Sequence, residues 1–482
     1  MTEWEAVIGL ETHVELQTNS KMFCGCPVDS GDEPNTAVCP VCLALPGALP
    51  VPNREAIEGI LSIGDALNCT LIEDSLFYRK NYFYPDLPKN YQISQYTFPL
   101  CLDGRLDVDV DGEPTTVGIT RVHMEEDTGK STHVGVSGRI HGADHTLLDF
   151  NRAGVPLVEV VTEPDIRSPE QARAYGAELQ RIVRTLGVSD ARLEEGSMRF
   201  DVNVSVRPVG SDTFGTRTEV KNVNSLRSMQ RAIAYEITRQ IEVLESGGSI
   251  KLETRHWDEA KGATRSGRTK EESEDYRYFQ DPDLLPLHID QAWRERVYAR
   301  RPELPAAKRA RYAALGADGR TAELLADAPE LAVLFEDAIE AGADARSIGI
   351  WLTGEVVAYL RREDVAIGDT GLTAASLAEL AGMTSGGDLS ATAAKEVLGG
   401  VLAGEGSPRQ VADARDLLQI SDEGAIETEV VSVLDQHPDA LAKIAGGDMK
   451  PIGFLVGQVM KATGGKADPR MVQDLIRRKT QG

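Results

Sequence analysis

Apolar and polar positions alternate in short stretches through the first part of the chain and recur at helical spacing through the rest. Alternation is the signature of a half-buried strand, and a period near 3.6 that of an amphipathic helix. Along residues 7–16, Ile8, Leu10, Val14 and Leu16 fall on one face of a strand, while Glu11, His13 and Glu15 share the other. Along residues 199–207, Phe200, Val202, Val204 and Val206 form the apolar face, opposed by Arg199, Asp201, Asn203, Ser205 and Arg207. Gly, Pro, Asn and Asp turns separate these strands. Two helices are set among them. One has Ser168 as N-cap, Pro169 at its first position, Gln171 to complete a capping box and Gly187 as its stop. The other runs from Ser225 to Glu245 and ends at Gly247-Gly248. Strands and helices in this order predict an α+β domain built on a largely antiparallel sheet.

Beyond Arg296 the pattern changes. Arg301-Pro302-Glu303-Leu304-Pro305 reads as a hinge, followed by nearly continuous helical periodicity rich in Ala, Leu, Glu and Arg. Glycine-rich breaks at residues 384–388 and 404–408 divide the helical half. The expected division is therefore 1–292, 293–407 and 408–482, the last a small all-helical module. A length of 482 residues accommodates three such cores.

Composition narrows the class. The chain has no 18-residue apolar run, so no membrane span is expected, and its acidic N-terminus carries no signal-peptide pattern. Six cysteines, four of them clustered, suit a metal site in a reducing cytoplasmic protein better than a disulfide framework. The net charge of −25 opposes general nucleic-acid binding, so any RNA contact must be local. Arg470, Arg477, Arg478 and Lys479, and the Arg-dense stretch 294–311, are candidates, although solvated helix faces give the same pattern.

Cys24-x-Cys26 and Cys39-x-x-Cys42 form two close pairs around a Pro- and Gly-containing loop. Four thiolates favour a closed tetrahedral zinc site, structural rather than catalytic. Cys69 and Cys101 stand alone and read as small core residues.

The chemistry is expected on the polar face of the sheet. Glu159 stands alone inside the apolar run of residues 156–161, where an ionised carboxylate is costly unless paired or metal-bound. Glu125, Glu126 and Asp127 follow His123. Strict alternation sends Glu125 and Glu126 to opposite faces; a bulge or the strand end would bring both to one site. One His among several carboxylates suits Mg²⁺ or Mn²⁺. With Arg79, Lys80, Lys89, Arg199 and Lys221 as cationic candidates, that combination is what phosphoryl transfer requires. A solvated sheet face remains the bland alternative for any one strand. Gly129-Lys130-Ser131 is no P-loop, because Met124 stands where that motif needs Gly.

The segments Glu11-Thr12-His13-Val14-Glu15-Leu16, His123-Met124-Glu125-Glu126-Asp127 and Glu219-Val220-Lys221-Asn222-Val223-Asn224-Ser225 resemble the GatB family, the B subunits of aspartyl/glutamyl-tRNA amidotransferases. So do residues 79–86, 91–95, 163–169, 194–199 and 275–279, and the tail segments 420–424 and 453–460. The resemblance spans nearly the whole chain. It implies a glutamine-synthetase/guanidino-kinase-like cradle, then a helical domain and a YqeY-like tail that hold tRNA. It implies Mg²⁺ at His13 and Glu126, with Glu11, Glu125, Glu159 and Asp201 around it, and ATP oriented by Arg199, Asn203, Lys221 and Asn222. It also implies Lys80 and Lys89 near the ammonium path and zinc on the four cysteines. The partners it implies are an amidase A subunit and a small C subunit, and the substrate is Glu-tRNAGln or Asp-tRNAAsn. A free-standing ligase or kinase acting on a small amino acid, and a zinc-stabilised tRNA-binding scaffold without catalysis, are the competing readings.

Overall fold

The computed structural model describes residues 2–28, 33–135, 143–269, 275–419, 422–445 and 449–481. Ile420 and Ser421, in one of the tail motifs, lie outside the described residues. The chain divides into two compact units, residues 1–305 and 306–482.

The first unit contains sixteen strands and four helices among its described residues. The strands, in chain order, are β1 (Trp4–Glu15), β2 (Thr70–Leu71), β3 (Asp74–Ser75), β4 (Tyr78–Asn81), β5 (Tyr91–Ser94), β6 (Cys101–Val110), β7 (Glu113–Glu126) and β8 (Lys130–Gly135). They continue with β9 (Ala143–Asp149), β10 (Pro156–Thr162), β11 (Met198–Pro208), β12 (Thr218–Val223), β13 (Glu253–Asp258), β14 (Ala263–Thr269), β15 (Phe279–Gln280) and β16 (Leu287–His288). Nine strands form one sheet in the order β14-β13-β12-β11-β1-β10-β7-β6-β2. Every neighbouring pair is antiparallel except β12–β13. Strand β4 also pairs with β5 and β15 in a small sheet.

Helices α1 (Arg54–Ala66), α2 (Pro169–Thr185) and α3 (Leu226–Glu245) cover one face of the large sheet, and α4 (Gln291–Tyr298) packs on α1. The covered face is the apolar one anticipated above: Ile8, Leu10, Val14, Leu16, Phe200, Val202 and Val204 are buried in one core with α1–α3. Gly64 of α1 is required there, since a Cβ would sit 2.3 Å from the Cys101 sulfur. Ser168 caps α2 as expected, and Ser225, expected as the first residue of α3, is instead its cap; each accepts a backbone N–H. A cap of this kind stabilises by about 1 kcal/mol. The box at α2 differs in one respect: Gln171 Oε1 accepts from the Arg167 amide at 2.8 Å rather than from that of Ser168. Ser168 is extended, and the return bond is made one residue earlier.

The second unit is helical. Helices from Pro305–Ala314 to Pro408–Ala414 bury Leu325, Phe335, Ile348, Leu377, Val397 and Val411 in one core. Four further helices, Glu423–Gln436, Pro438–Ala445, Ile452–Ala462 and Pro469–Gln481, close a separate core around Ile426, Val430, Leu455, Val459 and Ile476. Much of the basic character noted in the sequence is satisfied locally. Arg300 pairs with Glu58, Arg301 with Asp65, Arg311 with Glu336, Arg478 with Glu423 and Lys479 with Glu427. Among the described residues no helix is long and apolar enough to cross a membrane.

Candidate active site

The face of the sheet turned away from α1–α3 carries the charge, and strand register decides which charges meet. His13 on β1 stands opposite Glu159 on β10 and Arg199 on β11. Glu159 in turn stands opposite His123 on β7. One cross-strand row therefore reads Arg199, His13, Glu159, His123. Glu125 lies two residues further along β7 on the same face, and Glu11 stands opposite Asp201 in the next row.

Side chains close these rows into two groups. His13 Nε2 lies 3.6 Å from Glu159 and 3.8 Å from Glu125, and His123 Nε2 lies 3.3 Å from Glu159. The ligand atoms of His13, Glu125 and Glu159 fall within 4.8 Å of one another, as do those of Glu11, Asp201 and Glu219. Both buried carboxylates of the first group are ionised. Burial opposes this, but the charge of Lys80, 3.3 Å away, holds Glu125 down to about 2. His123 and His13 hold Glu159 well below the usual range against the same burial. His13 is raised to about 9: burial acts against its charge and is outweighed by the hydrogen bond to Glu159 and the charges of Glu159 and Glu125. In the second group Glu11 is raised, by burial and then by the like charges of Glu159, Asp201 and Glu219. Once His13 gives up its proton, an imidazole with two ionised carboxylates inside one ion's reach is a donor set that fits a hard divalent cation.

The cationic residues surround these groups. Lys221 Nζ sits 2.5 Å from Asp201 and 3.3 Å from Glu219. Asn203 donates to Glu11 at 3.1 Å. Arg199 reaches Asp127 at 2.9 Å, and Glu15, hydrogen-bonded to Asp127, is pushed by burial and that bond up to about 8. Asn222, at φ 66° beside the β11–β12 register shift, gives its amide to the Trp257 carbonyl at 3.2 Å. Lys80 lies 5.3 Å from the centre of the Tyr276 ring. Together they open onto a cleft of about 1300 Å³ lined by His13, Lys80, Glu125, Arg199, Asp201 and Lys221. That exceeds the ~300–1,000 Å³ of an ordinary small-molecule pocket.

Glu126 lies elsewhere. Alternation holds to the end of β7, so Glu125 and Glu126 point to opposite faces. The Glu126 carboxylate is taken by Lys89 and by the Ile93 amide at 2.9 Å, outside both carboxylate groups. Arg79 is also drawn off, to Asp281 and Asp283. Two participants had not been singled out as site residues: His123, which joins Glu125 to Glu159, and Glu219, which completes the second group. Glu219 alternates with Val220 on β12 as Asp201 does with Val202 on β11, and that signal would have found it.

Cys24, Cys26, Cys39 and Cys42 converge in the loop after β1, their sulfurs within 4.8 Å of one another. Cys39 and Cys42 sulfurs are 3.8 Å apart, and the Cys39 amide points at the Cys42 sulfur at 3.1 Å. Tetrahedral zinc with Zn–S of about 2.3 Å places sulfurs about 3.8 Å apart, so the spacing fits.

Family comparisons place the chain among known proteins. Residues 6–295 match the model of the GatB/GatE catalytic domain, and residues 333–480 match that of the GatB domain. The chain belongs to the GatB family. Relatives named as the B subunit of aspartyl/glutamyl-tRNA(Asn/Gln) amidotransferase include that of Frankia casuarinae, 52% identical over 99% of this chain and 95% of its own length. Those of Salinispora arenicola and Streptomyces coelicolor are 51% and 50% identical, over 98% and 99% of this chain and 96% of each relative.

Proposed function

We propose that this chain is the B subunit of an aspartyl/glutamyl-tRNA amidotransferase, an ATP-dependent carbon–nitrogen ligase, and that its sheet cleft phosphorylates the side chain of a mischarged tRNA-bound Glu or Asp before amidation. The observation that carries the mechanism is the convergence of His13, Glu125 and Glu159 beside Lys80 and Lys221 on one sheet face. In this reading residues 1–292 form the glutamine-synthetase/guanidino-kinase-like cradle, and 293–407 with the YqeY-like 408–482 hold the tRNA.

His13, Glu125 and Glu159 would hold Mg²⁺, with Glu11 and Asp201 around it; the ion's part when bound is to neutralise charge on the phosphate oxygens. Lys221 and Arg199 draw the triphosphate into the cleft, and Asn203 and Asn222 fix its orientation. The side-chain carboxylate of the aminoacyl ester attacks the γ-phosphorus, the bond to the β-phosphate oxygen breaks, and ADP leaves. Ammonia then attacks the acyl carbon, phosphate departs, and the proton lost by nitrogen leaves with it or through a nearby carboxylate. Lys80 and Lys89 line the path of incoming ammonium, which Glu126 guides and deprotonates and which an amidase A subunit supplies in a complex completed by a small C subunit. We assign Glu126 to that path rather than to the cation, because its carboxylate is already held by Lys89 and the Ile93 amide. Zinc on the four cysteines is structural, since every ligand position is filled by protein.

The test is γ-phosphate release by the chain co-purified with its amidase partner, comparing Glu-tRNAGln, Asp-tRNAAsn and uncharged tRNA. Release that needs mischarged tRNA is expected, and the productive tRNA names the substrate. Release indifferent to tRNA indicates a small-molecule ligase, and none at all a scaffold.

A further inference from the structure

Lys21 is completely buried, which a lysine almost never is unless its charge is paired. Its Nζ donates to two neutral acceptors, the carbonyls of Ala37 at 2.8 Å and Phe150 at 3.3 Å. Among the described residues no carboxylate pairs with it, and the nearby Glu126 is held by Lys89. Carbonyl dipoles solvate an ammonium but do not cancel its charge, and an uncancelled buried charge is strongly unfavourable.

The knuckle lies beside it. The Lys21 amide donates to the Cys26 carbonyl at 2.9 Å. Ala37, whose carbonyl takes the ammonium, stands two residues before Cys39. The stem of Lys21 and the side chain of Cys42 meet at Gly154, where a Cβ would lie 3.6 Å from Lys21 Cδ and 3.8 Å from Cys42 Cβ. Four neutral thiols would leave the lysine uncompensated. Four thiolates around a divalent ion retain two negative charges that the ion does not cancel.

We infer that Lys21 is the internal counter-ion of the metal-loaded cysteine knuckle. This rests on the zinc reading of the four cysteines, and it adds a fifth residue to that site, one that holds charge and donates no ligand. The same residue ties the knuckle to the catalytic sheet. Phe150 accepts from its ammonium, and Asn151 accepts from the Ala37 amide at 2.9 Å. Gly154 accepts from the Met22 amide at 2.8 Å and donates to Asp127 at 2.9 Å. Strand β10, with Glu159, starts two residues later.

The experiment measures zinc affinity by chelator competition on the full chain co-purified with its partner subunits. Lys21→Gln keeps a donor for the two carbonyls and removes the charge; Lys21→Arg keeps the charge. Lys21→Gln is expected to weaken zinc binding by about 10–100-fold, the usual loss for a group supporting metal ligands, and Lys21→Arg by much less. Wild-type affinity in folded Lys21→Gln would overturn the inference, reducing the lysine to a carbonyl-bonded packing element. A wild-type chain that takes up neither zinc nor cobalt would overturn it too, by removing the zinc reading itself. If the neutral variant does not accumulate as folded chain, thermal unfolding of Lys21→Arg with and without chelator reads the same coupling. Wild-type protection by zinc supports the inference, and its loss counts against it.

Discussion

Among the described residues three groups have metal-ligand spacing, and two of them, the cysteine knuckle and the cluster of His13, Glu125 and Glu159, are built in opposite ways. The cysteine knuckle is local: its ligands come from one loop, residues 24–42, and owe their convergence to turns. The sheet cluster is not. His13, Glu125 and Glu159 lie on three strands far apart in the chain, and only the pairing of β1 with β10 and of β10 with β7 brings them together. The knuckle presents four equivalent soft ligands and leaves no open position. The sheet cluster presents mixed hard ligands at the wall of a cleft, with Lys80 and Lys221 beside it. A closed set stabilises a fold, whereas an open set can accept a substrate's phosphate oxygens.

The largest expected effect is on the open set. Glu125→Gln or His13→Ala should lower tRNA-dependent phosphate release by about 100-fold or more, the scale of losing a group that stabilises transition-state charge. Glu125→Gln also strands Lys80, so it should lose about 1–3 kcal/mol of stability, and release is compared per folded molecule. Variants as active as the parent would end the account of this cluster. Cys39→Ser should instead spare release. Its melting temperature should fall by roughly 5–10 °C in a scanning calorimeter, for a loss of about 2–3 kcal/mol, while phosphate release per folded molecule changes by about threefold or less. A hundredfold loss of release in that folded variant would mean the knuckle takes part in chemistry.

Glu126→Gln sharpens the contrast within two adjacent residues. It strands Lys89, so a stability loss of about 1–3 kcal/mol is expected in urea unfolding. Its Mg²⁺ affinity should stay within about twofold of the parent, whereas Glu125→Gln should weaken it severely. Equal losses would return Glu126 to the cation site.

The smallest effect is a proton. His13, with its pKa raised to about 9, is an imidazolium at pH 7, and a divalent cation binds the neutral ring. Mg²⁺ binding at pH 7 should therefore release close to one proton, seen as a heat that varies with the buffer's ionisation enthalpy. The release should vanish well above pH 9. In the metal-free chain the same shift has a defined sign. The stability contributed by a raised histidine is complete below its unfolded pKa near 6.5 and is lost as pH rises through about 9. Buffer-independent heats would show that His13 is not displaced from its proton.

What could be read before the structure follows the same division. The knuckle was legible because its information is local. The faces of β1 and β11 were legible because alternation fixes them residue by residue, and Ile8, Leu10, Val202 and Val204 lie in the core as expected. Which carboxylates would meet was less legible, because register between distant strands is set by tertiary packing. Family motif position placed Glu126 beside His13, whereas alternation from Val122 to the end of β7, beyond the register shift near Thr120, puts Glu125 there and turns Glu126 to Lys89. His123 and Glu219 were visible as residues but not as neighbours of Glu159 and Asp201. Lys21 was illegible for another reason: nothing in a sequence marks one lysine among many as buried.

The central claim is that the substrate's own side-chain carboxylate attacks the γ-phosphorus, and isotope transfer tests it most directly. The side-chain carboxylate of tRNA-bound Glu or Asp is labelled with ¹⁸O, and phosphate is collected from the complete complex turning over with ATP and glutamine. One labelled oxygen in each phosphate released is the predicted result, because the oxygen that attacks phosphorus leaves with it when ammonia displaces the acyl phosphate. Amide formation with unlabelled phosphate would contradict the account.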